Sequence, residues 1–208
     1  MVYLEKLLIN GFRSFGPHDE NKAIMNFVKE NGEIMSLVLI LGQNGCGKTT
    51  IIECLRYVAT GDAPPGSDKG KSFIHDPKLA QETTVLGITR LQFVGVDGKR
   101  FVRIDDLGFL VYQVSWIFLS SLRYRLYRKL QATQKAKSTT IKTVDAGIQT
   151  VNQDGSLGNP LSSKCADINA AALVYLGVSK AIVNYVIFCH QEDSNWPLEE
   201  GSKVRTWI

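Results

Sequence analysis

One short stretch constrains this chain more than any other. Residues 42–49 read Gly42-Gln43-Asn44-Gly45-Cys46-Gly47-Lys48-Thr49, a match to G-x-x-x-x-G-K-[ST]. That pattern has meaning only between a strand and a helix, and both flanks have the right character. Residues 34–41 (IMSLVLIL) form a nearly continuous apolar run, which fits a central strand buried on both faces. Downstream, Ile51, Ile52, Leu55, Val58 and Ala59 recur at spacings of three and four, while Glu53 and Arg56 fall elsewhere. The spacing predicts a helix over 49–60. Gly61 is a natural stop, and Pro64-Pro65 forbids continuation.

Each residue type in the loop has a task. Glycines let the chain wrap with its N–H groups pointing inward, which makes an anion nest. The start of the following helix adds partial positive charge. Lys48 supplies a point charge to the β- and γ-phosphates of a nucleotide, and the Thr49 hydroxyl can ligate Mg²⁺. Thr50 can add a phosphate hydrogen bond. Cys46 contributes its backbone, with the small thiol tolerated. Kinases, GTPases and ATPases share such a loop. A guanine-reading N-K-x-D is absent from the sequence.

The remaining composition sets broad limits. With 208 residues and 44% hydrophobic content the chain can build a real core, and disorder is excluded as its main state. A net charge of +4 permits a nucleotide or nucleic-acid partner without demanding one. Cys46, Cys54, Cys165 and Cys189 form no C-x-x-C pair, so neither a disulfide framework nor a zinc site is expected. Residues 107–122 carry no charge but are short for a bilayer crossing and include Gln113, so no membrane association is expected. The N-terminus lacks signal-peptide character.

Further along, residues 2–9 read as a first strand broken by Gly11. Asn31-Gly32 signals a turn. Residues 84–93 and 100–104 read as strands joined through Asp97-Gly98, and residues 135–156 as a hairpin turning at Asp154-Gly155. Ser162 or Ser163 can cap a helix running to Leu176 and stopping at Gly177. Ser179 caps a second short helix, and residues 186–189 read as a short buried strand.

Three further segments carry a family resemblance. They are Gly11-Phe12-Arg13-Ser14-Phe15, Phe73-Ile74-His75-Asp76-Pro77-Lys78, and a run from Leu176-Gly177-Val178-Ser179-Lys180 to Phe188-Cys189-His190-Gln191-Glu192-Asp193-Ser194-Asn195-Trp196-Pro197-Leu198. With the glycine loop, these resemble the N-terminal ATPase segment of the eukaryotic Rad-fifty family. Those are the SMC-like, ABC-type ATPases of the MRN/MRX DNA double-strand-break repair complex. The resemblance implies an α/β fold: the N-terminal half of an ABC/SMC-type P-loop NTPase head, with an antiparallel β portion over about residues 84–157. It implies ATP and Mg²⁺ as cofactors. Arg13 would reach the nucleotide, Asn44, Gly45, Cys46, Gly47, Lys48, Thr49 and Thr50 would hold the triphosphate, and Ile74 and Asp76 would line the adenosine side. Gln191 would touch Mg²⁺ and the attacking water, making Lys48 and Gln191 the catalytic pair and Thr49 and Gln191 the metal ligands. The residues alone leave other roles open: a surface ion pair for Arg13, turn initiation for Asp76 before Pro77, and packing for His190.

The implied partners are DNA, a nuclease subunit of the MRN/MRX complex and a second head, in the nucleus on chromosomes. Residues 1–198 are expected to form the half-head and 199–208 the start of a coiled coil. Residues 103–134 match nothing in the family pattern and read as an atypical insertion, either a real one of the lineage or the product of a translated intron or an error in the gene model. No apolar run ending in Asp-Glu and no S-G-G motif occurs in the sequence, so little hydrolysis is expected of this chain by itself. A standalone P-loop kinase, or a non-catalytic product that keeps the fold, are the competing readings. Residues 107–144 hold seven basic and no acidic side chains, which fits phosphate contacts or a solvated basic face.

Overall fold

The computed structural model describes residues 2–95, 122–135, 138–160 and 165–188. Its frame is one six-stranded sheet: β1 (Tyr3–Asn10), β2 (Ala23–Asn26), β3 (Thr84–Gly95), β4 (Leu122–Gln134), β5 (Thr139–Val151) and β6 (Leu157–Pro160). The order is β2-β1-β3-β4-β5-β6, with every neighbouring pair antiparallel. The antiparallel portion therefore reaches back to the first strand and is wider than residues 84–157.

Period-two alternation gives the sheet one buried face. Val85, Leu91 and Phe93 of β3 and Tyr124, Leu126, Leu130 and Ala132 of β4 are buried, while Arg90 and Arg123 are exposed. Against the buried face lies α1 (Lys48–Thr60), whose Cys54 and Val58 are fully buried. A fully buried aliphatic side chain of this size contributes roughly 1.5–3 kcal/mol. Phe12, Tyr57 and Phe73 lock the loop after β1, the helix and residues 70–74 together, with ring centroids 4.6, 5.5 and 6.0 Å apart. Gly61 takes the left-handed conformation (φ 81°) that ends α1.

The remaining helices are short. α2 (Pro77–Ala80) follows the Asp76 cap, and α3 (Cys165–Tyr175) ends before Gly177. α4 (Lys180–Ile182) is capped by Ser179 and runs into a wide helical turn over Val183–Ile187. The expected turn after Asn31-Gly32 and the hairpin at Asp154-Gly155 both form.

Three expectations are corrected, and one further segment is placed. First, residues 34–41 are not a buried central strand. After the bridge between Val28 and Ile34 and the bond from the Met35 N–H to the Phe27 carbonyl, no ladder continues among the described residues. Leu37, Leu39 and Leu41 are 85%, 75% and 80% exposed. A run apolar on both faces needs a strand on each side, and among the described residues this one pairs only with the two residues that follow β2, through Ile34 and Met35.

Second, the Arg-rich end of residues 103–134 forms an inner strand of the sheet. β4 pairs with β3 from Thr84–Thr133 to Gly95–Leu122, and Arg128 is buried within it. Third, residues 186–187 belong to the helical turn, with Ile187 exposed, because the Ser179 cap commits the chain to helix. Fourth, Ile52 is exposed on α1 and Glu53 is buried. The expected strand over 100–104, the turn at Asp97-Gly98, the rest of the apolar run before Leu122, and Ser162, Ser163, Cys189, His190 and Gln191 lie outside the described residues. No described helix is long and apolar enough to cross a membrane.

Candidate functional site

Arg13, Ser14, Asn44, Gly45, Gly47, Lys48, Thr49 and Thr50 line a hollow of about 420 Å³ at the start of α1. The local sequence builds it. Gly45 and Gly47 take positive φ (85° and 88°), and a Cβ on Gly47 would meet the Ser14 hydroxyl at 2.7 Å and the Phe15 ring at 3.0 Å. Only glycine lets the loop turn this tightly against the strand-end loop. The first helical bond of α1 runs from the Ile51 N–H to the Gly47 carbonyl at 3.1 Å. The N–H groups of Lys48, Thr49 and Thr50 therefore have no acceptor inside the helix, as at any helix start, and face an anion's natural position.

Lys48 is folded into its own loop. Its Nζ donates to the Gly42 and Gln43 carbonyls at 2.6 and 2.7 Å, which uses two of three ammonium donors and leaves one for a ligand. The Thr49 side chain is exposed beside it, and Thr50 is buried. Cys46 is exposed, with a free thiol. The residues present thus fit a polyphosphate: N–H groups, a helix start, one ammonium and a hydroxyl converge on one open hollow. Among the described residues, no three His, Cys, Asp or Glu side chains form a metal-binding group, so a metal here would rest on Thr49 and the phosphates themselves.

Arg13 enters from the loop after β1. Its backbone is left-handed (φ 43°), its N–H donates to the Phe73 carbonyl at 3.0 Å, and its carbonyl meets His75 Nδ1. Its guanidinium pairs with Glu53: Nη2 donates to Oε1 at 3.1 Å, and Nη1 lies 2.8 Å from Oε2. Arg13 thus forms an ion pair, with a buried rather than a surface carboxylate, and also lines the hollow beside the phosphate loop. Asn10 braces the same loop by donating to the Gly16 and His18 carbonyls at 3.1 and 3.0 Å.

Ile74 and Asp76 are not brought into this hollow. Ile74 is 3% exposed and bridges Phe12, and Asp76 caps α2 by accepting from the Lys78 N–H at 2.9 Å. Their neighbour His75 instead lines a second hollow of about 240 Å³ with Ser14, His18 and Gln81. Ser14 belongs to both hollows and was not singled out from the sequence; neither were Glu53, His75 or Asn10. Glu53 left one signal: a carboxylate on a helix whose adjacent positions are apolar. Gln191 lies outside the described residues.

The family profile described as "AAA domain" matches residues 6–206. The chain is 40% identical to the DNA repair protein RAD50 of Arabidopsis thaliana, 38% to that of Saccharomyces cerevisiae and 36% to that of Drosophila melanogaster, each over 99% of its own length. It spans only 13–14% of the length of these relatives. The glycine loop, the hollow it lines and the match along nearly the whole sequence agree, and the chain belongs to the AAA domain family, with its likeness to the N-terminal ATPase region of Rad50.

Proposed function

We propose that this chain is the ATP-binding half of a head in a DNA double-strand-break repair ATPase. The observation that carries the reading is the hollow in which Lys48, Thr49, the helix start and Arg13 converge. The N–H groups of Lys48, Thr49 and Thr50 would hold phosphate oxygens, the third donor of Lys48 would reach the β- and γ-phosphates, and Thr49 would hold Mg²⁺. Mg²⁺, when bound, neutralises phosphate charge. Gln191, from the segment after Phe188, would orient water without competing for its proton. Ile74 and Asp76 would act on the nucleoside side through the backbone that places His75.

Joined to a C-terminal half, the head would dimerise on ATP binding, hold DNA and work with the nuclease subunit of the MRN/MRX complex on nuclear chromosomes. The exposed Leu37, Leu39 and Leu41 would be covered in that union. By itself the chain would hydrolyse little ATP.

A fluorescent ATP analogue titrated into the chain with Mg²⁺ tests the reading. Saturable binding that Lys48→Ala weakens at least about tenfold is expected, which corresponds to one lost charge-assisted contact. Equal binding by both proteins would remove the proposal. Rapid turnover that Lys48→Ala abolishes would favour a standalone NTPase instead.

A further inference from the structure

We infer that Glu53 is a positioning residue for the nucleotide site, acting through Arg13; the inference rests on the ATP-binding reading above. Glu53 lies one helical turn beyond Thr49, so its carboxylate stands beneath the same end of α1 that opens the hollow. It is held there: the side chain is 9% exposed, against 33% for that of Arg13. A buried carboxylate cannot be left uncompensated, so the pair persists when a ligand arrives and Arg13 does not swing free.

The geometry leaves Arg13 useful while paired. A guanidinium carries five N–H donors; here Nη2 donates to Glu53 Oε1 at 3.1 Å, while Nη1 stands in ion-pair contact 2.8 Å from Oε2. Donors remain to spare, and the Arg13 side chain, 33% exposed, lines the hollow with Asn44, Gly45 and Lys48. The backbone of Arg13 is fixed by bonds to Phe73 and His75, and the far end is fixed by Glu53. Both ends of the side chain are thus set before a phosphate or ribose oxygen arrives, which removes ordering entropy from the binding step.

The idea makes a prediction opposite in sign to simple electrostatics. Removing a carboxylate near an anion site should tighten anion binding if charge alone mattered. Positioning demands that binding weaken.

The test titrates a fluorescent ATP analogue with Mg²⁺ into the full chain as wild type, Glu53→Gln, Arg13→Ala, the double variant and Lys48→Ala. Glu53→Gln should weaken binding roughly tenfold, as for a misplaced charged hydrogen bond. In the Arg13→Ala background the same substitution should change affinity less than about twofold, because its effect runs through Arg13. Arg13→Lys keeps both charges and the buried pairing but not the fork, so it should lose affinity to a similar degree while staying folded by circular dichroism. Tighter or unchanged binding by Glu53→Gln, an equal loss in both backgrounds, or wild-type affinity for Arg13→Lys would each overturn the inference. If wild type and Lys48→Ala bind alike, the nucleotide reading itself fails and the inference goes with it.

Discussion

Arg128, on β4, donates from Nε to the carbonyl oxygen of Val58 on α1 at 2.8 Å. The contact joins the sheet to the end of the helix whose other end forms the phosphate loop. Val58 lies in the last turn, where carbonyls lack intrahelical donors and the helix dipole favours a cation. Arg128 is 3% exposed, lies 6.0 Å from the centroid of the Tyr57 ring and has no carboxylate partner among the described residues. Burial lowers its pKa, and the neighbouring Tyr57 works in the other direction. Arg128→Met is expected to destabilise the fold by about 2–4 kcal/mol, combining an orphaned carbonyl with lost packing. Arg128→Lys should not restore it, since lysine cannot present the Nε fork. Urea unfolding of the variants checks both.

Gly11 holds the turn that carries Arg13 to the site. Its φ is 72°, and a Cβ there would lie 2.3 Å from the Leu86 carbonyl oxygen and 2.9 Å from the Gly87 Cα. Both obstacles are backbone of β3 and cannot rotate away. Its own carbonyl accepts from the His75 N–H at 2.9 Å, so displacement would spread to the second hollow. Gly11→Ala is expected to cost more than about 3 kcal/mol, the range reached by strain plus a core clash. Thermal unfolding followed by circular dichroism measures it.

Leu37 and Leu39 are 85% and 75% exposed on a segment without a ladder partner. Such a row invites association with other apolar edges. Replacing both by lysine should change stability by less than about 0.5 kcal/mol, as for exposed positions. Self-association should fall. Light scattering across a concentration series, beside an unfolding curve, separates the two effects. A large loss of stability would show that these leucines already pack within the chain.

How much of this was legible in the sequence depends on whether a residue's partners are local. The phosphate loop, α1, its Gly61 stop and the Ser179 cap rest on spacings of a few residues, and all are found. Residues 34–41 were misread because an apolar run reports a demand for burial, and the strands that could meet that demand are a tertiary matter. β4 was not read as a strand, since residues 103–134 were set apart for matching nothing in the family pattern. Its alternation, Tyr124, Leu126, Arg128, Leu130, Ala132, is interrupted by an arginine that looks solvated until Val58 and Tyr57 are placed beside it. The Arg13–Glu53 pair spans 40 positions, so no periodicity could join them.

Alkaline pH should destabilise the chain through Cys54 and Tyr57. Burial drives the Cys54 thiol well above its ordinary value, with the Glu53 carboxylate adding to the rise and Arg13 opposing it. Burial likewise pushes Tyr57 up from 10.0 to about 12, partly offset by Arg128. In both cases the folded state keeps a proton that the unfolded chain releases. Unfolding is then coupled to proton loss, so these contributions are whole below the unfolded pKa and disappear as pH rises through the folded one. Stability should therefore begin to fall near pH 9 as the thiol of the unfolded chain ionises, and fall more steeply from about 10 to about 12 as its phenol follows. Tyr57→Phe keeps the ring against Phe12 and Phe73 while removing the titrating group. Its urea midpoint should decline less than that of the wild type across the upper window, and Cys54→Ala should flatten the lower one. Parallel declines in all three proteins would assign the alkaline loss to other groups.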